Sequence, residues 1–260
     1  MPKFAANLSM LFTELPFPGR FAAAAKAGFR GVEYLFPYAM PKEEIAELLR
    51  AANGLTQVLF NLPAGNWDGG ERGIACHPDR VAEFQEGVGK AIDYAKALQC
   101  KQVNCLAGIA PKGVDAATTH RTLAENLTFA ASKLKEAGIL LIAEPINTYD
   151  IPGFFLNRSA QAISLFDEVG SDNLKLQYDI YHMQRMEGEL AKTIERLLPR
   201  IAHIQLADNP GRNEPGTGEI NYPFLFGFLD RIGYTGWIGC EYKPLTTTAA
   251  GLSWMTKIAH

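Results

Sequence analysis

The sequence predicts an α/β chain that closes as a single (β/α)8 barrel, and three observations carry that expectation. Eight short apolar runs alternate with longer stretches of helical period along the 260 residues, the pattern of parallel strands joined by crossover helices. No linker, solenoid repeat or low-complexity tract divides them, so residues 1–260 read as one domain of a length that α/β barrels routinely use. The fifth to eighth runs each end in a carboxylate or an amide, and barrel folds keep their chemistry at the carboxyl ends of strands.

Taken in order, the first strand, Phe4–Leu8, precedes an Ala-rich helix over 16–28 that Gly28 closes as a left-handed cap. Gly31–Leu35 and a helix over 41–53 follow, then Thr56–Asn61 and a helix over 80–99. Gln102–Leu106 leads into 115–137, which Gly138 ends in the same way as Gly28. Leu140–Glu144 is followed by a helix over 159–170, and Leu174–Asp179 by one over 188–199. Ile201–Gln205 is followed by 222–232, with Asn221 as its N-cap, and Trp237–Glu241 by a last helix over 246–257. Two long interruptions, 62–79 and 207–221, are rich in Gly, Pro and Asn and each follow a strand, so they are expected to build the active face. Leu62 and Ile74 in the first of these are expected to be exposed, which allows a homo-oligomer without demanding one.

Composition narrows the partners. With 25 Lys+Arg against 28 Asp+Glu the formal charge is −3, so the chain lacks the basic excess that drives phosphate-backbone binding, and nucleic acid is not expected. Four cysteines (Cys76, Cys100, Cys105, Cys240) form no C-x-x-C pair and read as reduced, mostly buried thiols. No apolar run approaches the ~20 residues of a membrane helix, so a soluble cytoplasmic protein is expected.

The chemistry is expected where strands five to eight end, in Glu144, Asp179, Gln205 and Glu241. Alternation puts Leu140, Ile142 and Glu144 on one strand face, and neighbouring strands then aim three carboxylates and one amide at a common point. Clustered carboxylates repel one another unless a cation neutralises them. An all-oxygen donor set favours Mg²⁺ or Mn²⁺ over Zn²⁺. Other features have plainer readings. The Gly216-Thr217-Gly218 run lacks the Lys-Ser/Thr of a phosphate loop and reads as a turn before Asn221. Cys240 should face the helices, and Phe36, Phe60 and Trp67 should mostly pack, with one or two lining a small pocket.

Several stretches resemble the hydroxypyruvate isomerase family within the xylose-isomerase-like sugar isomerases and epimerases. They are Ala6-Asn-Leu-Ser-Met-Leu-Phe12, Gly31-Val-Glu-Tyr-Leu-Phe-Pro-Tyr38, Asn61-Leu-Pro-Ala-Gly65, Gly70-Glu-Arg-Gly-Ile-Ala-Cys76 and Ile142-Ala-Glu-Pro-Ile-Asn147. Longer matches are Gln177-Tyr-Asp-Ile-Tyr-His-Met-Gln-Arg-Met-Glu-Gly-Glu-Leu190, Ala207-Asp-Asn-Pro, Glu214-Pro-Gly-Thr-Gly-Glu-Ile-Asn-Tyr222 and Gly239-Cys-Glu-Tyr-Lys-Pro244. The resemblance implies a TIM barrel in which Glu144 and Glu241 act as proton donor and acceptor and also contact the metal, with Asp179 and Gln205 as further ligands. Related ketose epimerases usually carry His where this chain has Gln205.

The implied reaction moves a carbonyl between adjacent carbons, interconverting hydroxypyruvate and tartronate semialdehyde through an enediol, with no nicotinamide or flavin. Three carboxylates and one dication leave the site near −1, so an anionic substrate needs basic groups opposite. Arg212, Arg72 and Lys243 are the candidates, and His182 is placed to hydrogen-bond a substrate oxygen. Isomerisation of the longer 2-oxo-tetronate is the nearest alternative, with a metal-dependent sugar dehydratase and a non-catalytic binding barrel further off. A barrel-type abasic-site endonuclease needs several histidines at a multi-zinc site, and the chain has five in all.

Overall fold

The computed structural model describes residues 2–257. Its strands are β1 Lys3–Asn7, β2 Gly31–Glu33, β3 Thr56–Leu59, β4 Gln102–Cys105, β5 Leu140–Ala143, β6 Leu174–Asp179, β7 Ile201–Leu206 and β8 Trp237–Cys240. The helices are α1 Phe17–Lys26, α2 Lys42–Ala51, α3 Val81–Ala97, α4 Ala116–Glu136, α5 Ser159–Val169, α6 Ile180–Met186, α7 Leu190–Leu197, α8 Tyr222–Arg231, α9 Thr248–Gly251 and α10 Trp254–Lys257.

The strands form one eight-stranded parallel sheet in the order β3-β2-β1-β8-β7-β6-β5-β4. Closure between β3 and β4 comes from the residues just past β3. Asn61 bridges Asn104 in parallel, the Asn104 N–H donates to the Phe60 carbonyl at 3.0 Å, and the Leu62 N–H donates to the Asn104 carbonyl at 2.8 Å. The Asn104 amide adds a side-chain bond to Asn61 Oδ1 at 3.1 Å. The sheet is therefore a barrel, which the strand–helix pattern fits better than an open doubly wound sheet.

Expected boundaries hold where a specific residue ends an element. Gly28 and Gly138 stand at φ +93° and +71°, and Asn221 Oδ1 accepts from the Phe224 N–H at 3.2 Å. Two expectations fail locally. The single helix expected over 188–199 is preceded by α6, which begins immediately after Asp179 because one oxygen of that carboxylate accepts the Tyr181 and His182 N–H groups and caps it. Gly188 and Glu189, both at positive φ, then separate α6 from α7. The helix expected over 246–257 divides into α9 and α10 at Gly251.

The loop over 62–79 is also corrected. Leu62 and Ile74 are each 2% exposed and belong to the core, so they offer no apolar surface for self-association. The loop folds inward because Gly73, at φ +119°, packs its backbone on that of Leu106 and Gly108; a Cβ there would lie 2.4 Å from the Leu106 carbonyl oxygen. All four cysteines are buried and unpaired, Cys240 among them in the strand–helix layer.

The barrel interior has two halves. On one side Ala5, Val58, Leu59 and Ile142 make a small apolar plug with Leu140, Ala202 and Trp237, with Leu59 also reaching the cavity. Toward the strand ends the inward positions are polar: Asn7, Glu33, Asn104, Gln177, His203 and Gln205 are all buried. The plug is expected to carry its own stability. Ile142→Ala should lower the free energy of unfolding in urea by about 2–5 kcal/mol, the range for a fully buried aliphatic truncation; a loss below about 1 kcal/mol would mean that the plug is not tightly packed.

Candidate active site

Glu144 follows β5 directly, Asp179 ends β6, His182 lies in the first turn of α6, and Glu241 follows β8. One donor atom from each of the four lies within 4.8 Å of the others, and all four residues are buried. His182 Nε2 is 3.7 Å from Glu144 Oε1 and 3.8 Å from Asp179 Oδ2. Those two carboxylate oxygens have no hydrogen-bond partner among the described residues. Buried anionic oxygens left unpaired are costly, so the donor set fits a bound cation.

The tautomer of His182 follows from its neighbour. Asn147 Oδ1 accepts the Tyr149 and Asp150 N–H groups at 3.0 and 2.8 Å, which turns its Nδ2 toward His182 Nδ1, 2.6 Å away, and Asp150 Oδ2 at 3.1 Å. An amide N–H can only donate there, so Nδ1 accepts and Nε2 carries the proton. His182 thus presents a donor to the carboxylates, and as this tautomer Nε2 is not available as a metal ligand.

Beneath these groups lies a polar floor that the sequence reading missed. The Glu33 carboxylate accepts from His203 Nε2 at 2.7 Å, Gln205 Nε2 at 2.7 Å and Asn7 Nδ2 at 3.0 Å. Gln205 Oε1 accepts from Gln177 Nε2, which also donates to Glu144 Oε2 at 2.8 Å. Asn104 Nδ2 reaches the same Glu144 oxygen at 3.3 Å, and Asn7 Nδ2 reaches Glu241 Oε1 at 3.4 Å. Gln205 thus lies at the site with its amide oriented, and its oxygen keeps a second lone pair free. Gly239 makes room for Glu33, since a Cβ there would lie 2.3 Å from both carboxylate oxygens.

Of the basic candidates one reaches the cavity. Arg212 donates from Nη2 to Glu241 Oε2 at 3.0 Å, lies 5.2 Å above the Tyr181 ring and has Nη1 3.9 Å from Asp150. Arg72 instead stacks on Trp67 at 4.4 Å and donates to the Trp67 and Glu71 carbonyls, and it is Trp67 that lines the cavity. Lys243 has an exposed side chain and touches the site by its backbone, its N–H donating to the Arg212 carbonyl at 2.8 Å. The cavity walls are completed by apolar residues that include Met10, Leu35, Leu106, Ile146 and Ile151.

A family model described as "Xylose isomerase-like TIM barrel" matches residues 21–258. The chain belongs to that family. Hydroxypyruvate isomerase of Escherichia coli (strain K12) is 57% identical over 255 residues, which is 98% of this chain and 98% of the relative. The 2-oxo-tetronate isomerase of Cupriavidus necator is 49% identical over 258 residues, again 98% of each. A crystal structure described as AP endonuclease, family 2, from Brucella melitensis superposes with a TM-score of 0.96 at 45% identity and 99% coverage of both chains.

In this xylose isomerase-like barrel the electrostatics are dominated by desolvation. Burial raises Glu144 well above its ordinary value of 4.5, and Glu241 and Asp179 add repulsion. Burial likewise raises Glu241, to about 8, against the opposing pull of Arg212. Asp179 is raised by burial too, while Arg212 and the α6 amides pull it down. His182 is held well below 6.5, first by burial and then by Arg212 and Arg185, and so is neutral. For Arg212, burial opposes the charge but Glu241, Asp179 and Glu144 outweigh it.

A pH dependence of stability follows. Glu144 and Glu241 have folded-state values above their unfolded 4.5, so the folded protein holds protons that the unfolded chain has released. The Glu241 share of that stability is complete below 4.5 and is lost as pH climbs toward about 8, while the Glu144 share has the same sign. His182, shifted downward, contributes the opposite slope only below 6.5. Chelator-treated protein should therefore lose stability between pH 6.5 and about 8. The loss should be smaller in Glu241→Gln and should flatten when a divalent cation is added. Urea unfolding across that window checks it; a stability that rises with pH in chelator contradicts the assignment.

Proposed function

We propose that this chain is a hydroxypyruvate isomerase, moving the carbonyl of a three-carbon 2-oxo acid between adjacent carbons. The observation that carries the reading is the pairing of Glu144 and Glu241, both with raised proton affinity, across one small cavity whose single guanidinium is Arg212. The 57% identical relative of that name supports it over nearly the whole chain. Residues 1–260 are taken as one domain acting on a small molecule, and four unpaired thiols fit a cytoplasmic enzyme.

Arg212 takes the substrate carboxylate, for which a planar fork is the best match. One glutamate removes a proton from the carbon bearing the terminal hydroxyl, an enediolate forms, the hydroxyl proton passes to the former carbonyl oxygen as the new carbonyl forms, and the other glutamate returns a proton to the former carbonyl carbon. His182, neutral and carrying its proton on Nε2, donates to a substrate oxygen as charge develops there. Because one carbon is oxidised as its neighbour in the same molecule is reduced, neither nicotinamide nor flavin takes part. Glu144, Asp179 and Glu241, with the Gln205 oxygen as fourth donor, would hold a divalent ion, and their all-oxygen chemistry suits Mg²⁺ or Mn²⁺. Such an ion supplies Lewis-acid stabilisation of the developing oxyanion. The apolar walls exclude water from the enediolate.

The Cupriavidus relative makes 2-oxo-tetronate the second reading, differing by one carbon and using the same groups. The endonuclease description of the Brucella structure finds less support, because the metal-capable group contains one imidazole and the chain carries a net −3.

Hydroxypyruvate in D₂O with purified enzyme, followed by NMR, should give tartronate semialdehyde carrying deuterium at the new C–H, and chelator should suppress it. Glu144→Gln and Glu241→Gln should each lower kcat by about 10²–10⁴-fold, the usual worth of a positioned acid or base. Full activity in both variants would remove the glutamate pair from the mechanism. A higher kcat/KM for 2-oxo-tetronate would instead move the assignment to the four-carbon acid.

A further inference from the structure

The loop between β7 and α8, residues 207–221, carries Arg212 and has no regular structure beyond one isolated bridge, yet it converges on a single buried side chain. Asp208 is 1% exposed, and its carboxylate accepts five backbone N–H groups from this loop. Oδ1 takes Asn209 at 2.9 Å and Ile220 at 3.1 Å; Oδ2 takes Gly216 at 2.8 Å, Thr217 at 3.0 Å and Gly218 at 2.9 Å. The Gly216-Thr217-Gly218 turn is thus an anion cradle of successive N–H groups, and the anion it holds is the chain's own carboxylate. Gly218 is required for this closeness, because a Cβ would fall 2.1 Å from the Asn209 carbonyl oxygen and 2.8 Å from Asp208 Oδ1.

The same residue grips Arg212 by the backbone. The Asp208 carbonyl accepts the Arg212 N–H at 2.9 Å, and the Asp208 N–H donates to the Asn213 carbonyl at 2.8 Å. From the other side Lys243 N–H donates to the Arg212 carbonyl at 2.8 Å, and Asn213 Nδ2 to the Lys243 carbonyl at 2.7 Å. Held between them, Arg212 adopts φ +56°, a left-handed conformation that a residue with a side chain rarely takes. Asp208 is not among the residues lining the cavity.

We propose that Asp208 is a positioning residue for substrate binding: by closing the 209–220 loop on its carboxylate, it holds Arg212 in the conformation that aims the guanidinium at the substrate carboxylate. The proposal rests on the reading of Arg212 as the carboxylate clamp. A loop of this length would otherwise sample many conformations, and a displaced guanidinium loses the geometry of a two-point contact.

The test is a double-mutant cycle on hydroxypyruvate turnover with Asp208→Asn and Arg212→Ala. Asp208→Asn places an NH₂ against N–H donors and should raise KM about tenfold with a smaller change in kcat, since misplacement of a binding group acts through geometry. In the Arg212→Ala background the same substitution should add little, because its effect passes through the missing guanidinium. Gly218→Ala, which disturbs the cradle while leaving the carboxylate, should reproduce the KM rise and its dependence on Arg212, and serves if Asp208→Asn folds poorly. An equal KM rise with and without Arg212, or an unchanged KM in Asp208→Asn, overturns the positioning role while leaving the clamp intact. An unchanged KM in Arg212→Ala overturns the clamp itself, and the proposal falls with it.

Discussion

Four carboxylates, Glu33, Glu144, Asp179 and Glu241, are buried at one end of a barrel, and like charges so confined do not stay ionised without compensation. Much of the surrounding structure answers that constraint. Asp179 is neutralised in part by the α6 amides, Glu241 by Arg212, and Glu33 by hydrogen bonds from His203, Gln205 and Asn7. Glu144 Oε1 and Asp179 Oδ2 are what remains uncompensated, and they face each other across His182. A buried cluster of donors able to hold a metal ion is the result of leaving that deficit where it is.

The barrel and the rim of the site were legible because both depend on short-range pattern. Glu144, Asp179, Gln205 and Glu241 stand at or beside the ends of consecutive strands, and barrel closure brings Glu144, Gln205 and Glu241 to one cavity, with Asp179 beside Glu144 and Glu241. Gly28, Gly138 and Asn221 could be read because each acts on its own helix. Arg212 was reachable by charge balance, although that balance omitted Glu33, a fourth carboxylate.

What escaped depends on contacts between distant residues. Glu33 sits in a run read simply as a strand, and a charged residue in the middle of such a run was the available signal; its partners His203 and Gln205 lie about 170 positions away. The orientation of His182 comes from Asn147, which ends the Ile142–Asn147 stretch and has no pattern of its own. Arg72 and Lys243 illustrate the converse. Both belong to loops on the expected face, but the Arg72 guanidinium bonds the Trp67 and Glu71 carbonyls, and Lys243 meets Arg212 by its N–H. α6 was overlooked because Asp179 was read for its charge and not also as a helix cap.

Asn104 belongs to both the closing seam and the site. Its main chain stitches β4 to the end of β3, while its side-chain amide divides itself between Asn61 and Glu144. The hoop that completes the cylinder and the bond that steers one acid are therefore a single fastening. Loosening the former also frees the latter, so the girth of the cylinder and the placement of Glu144 are set by one residue.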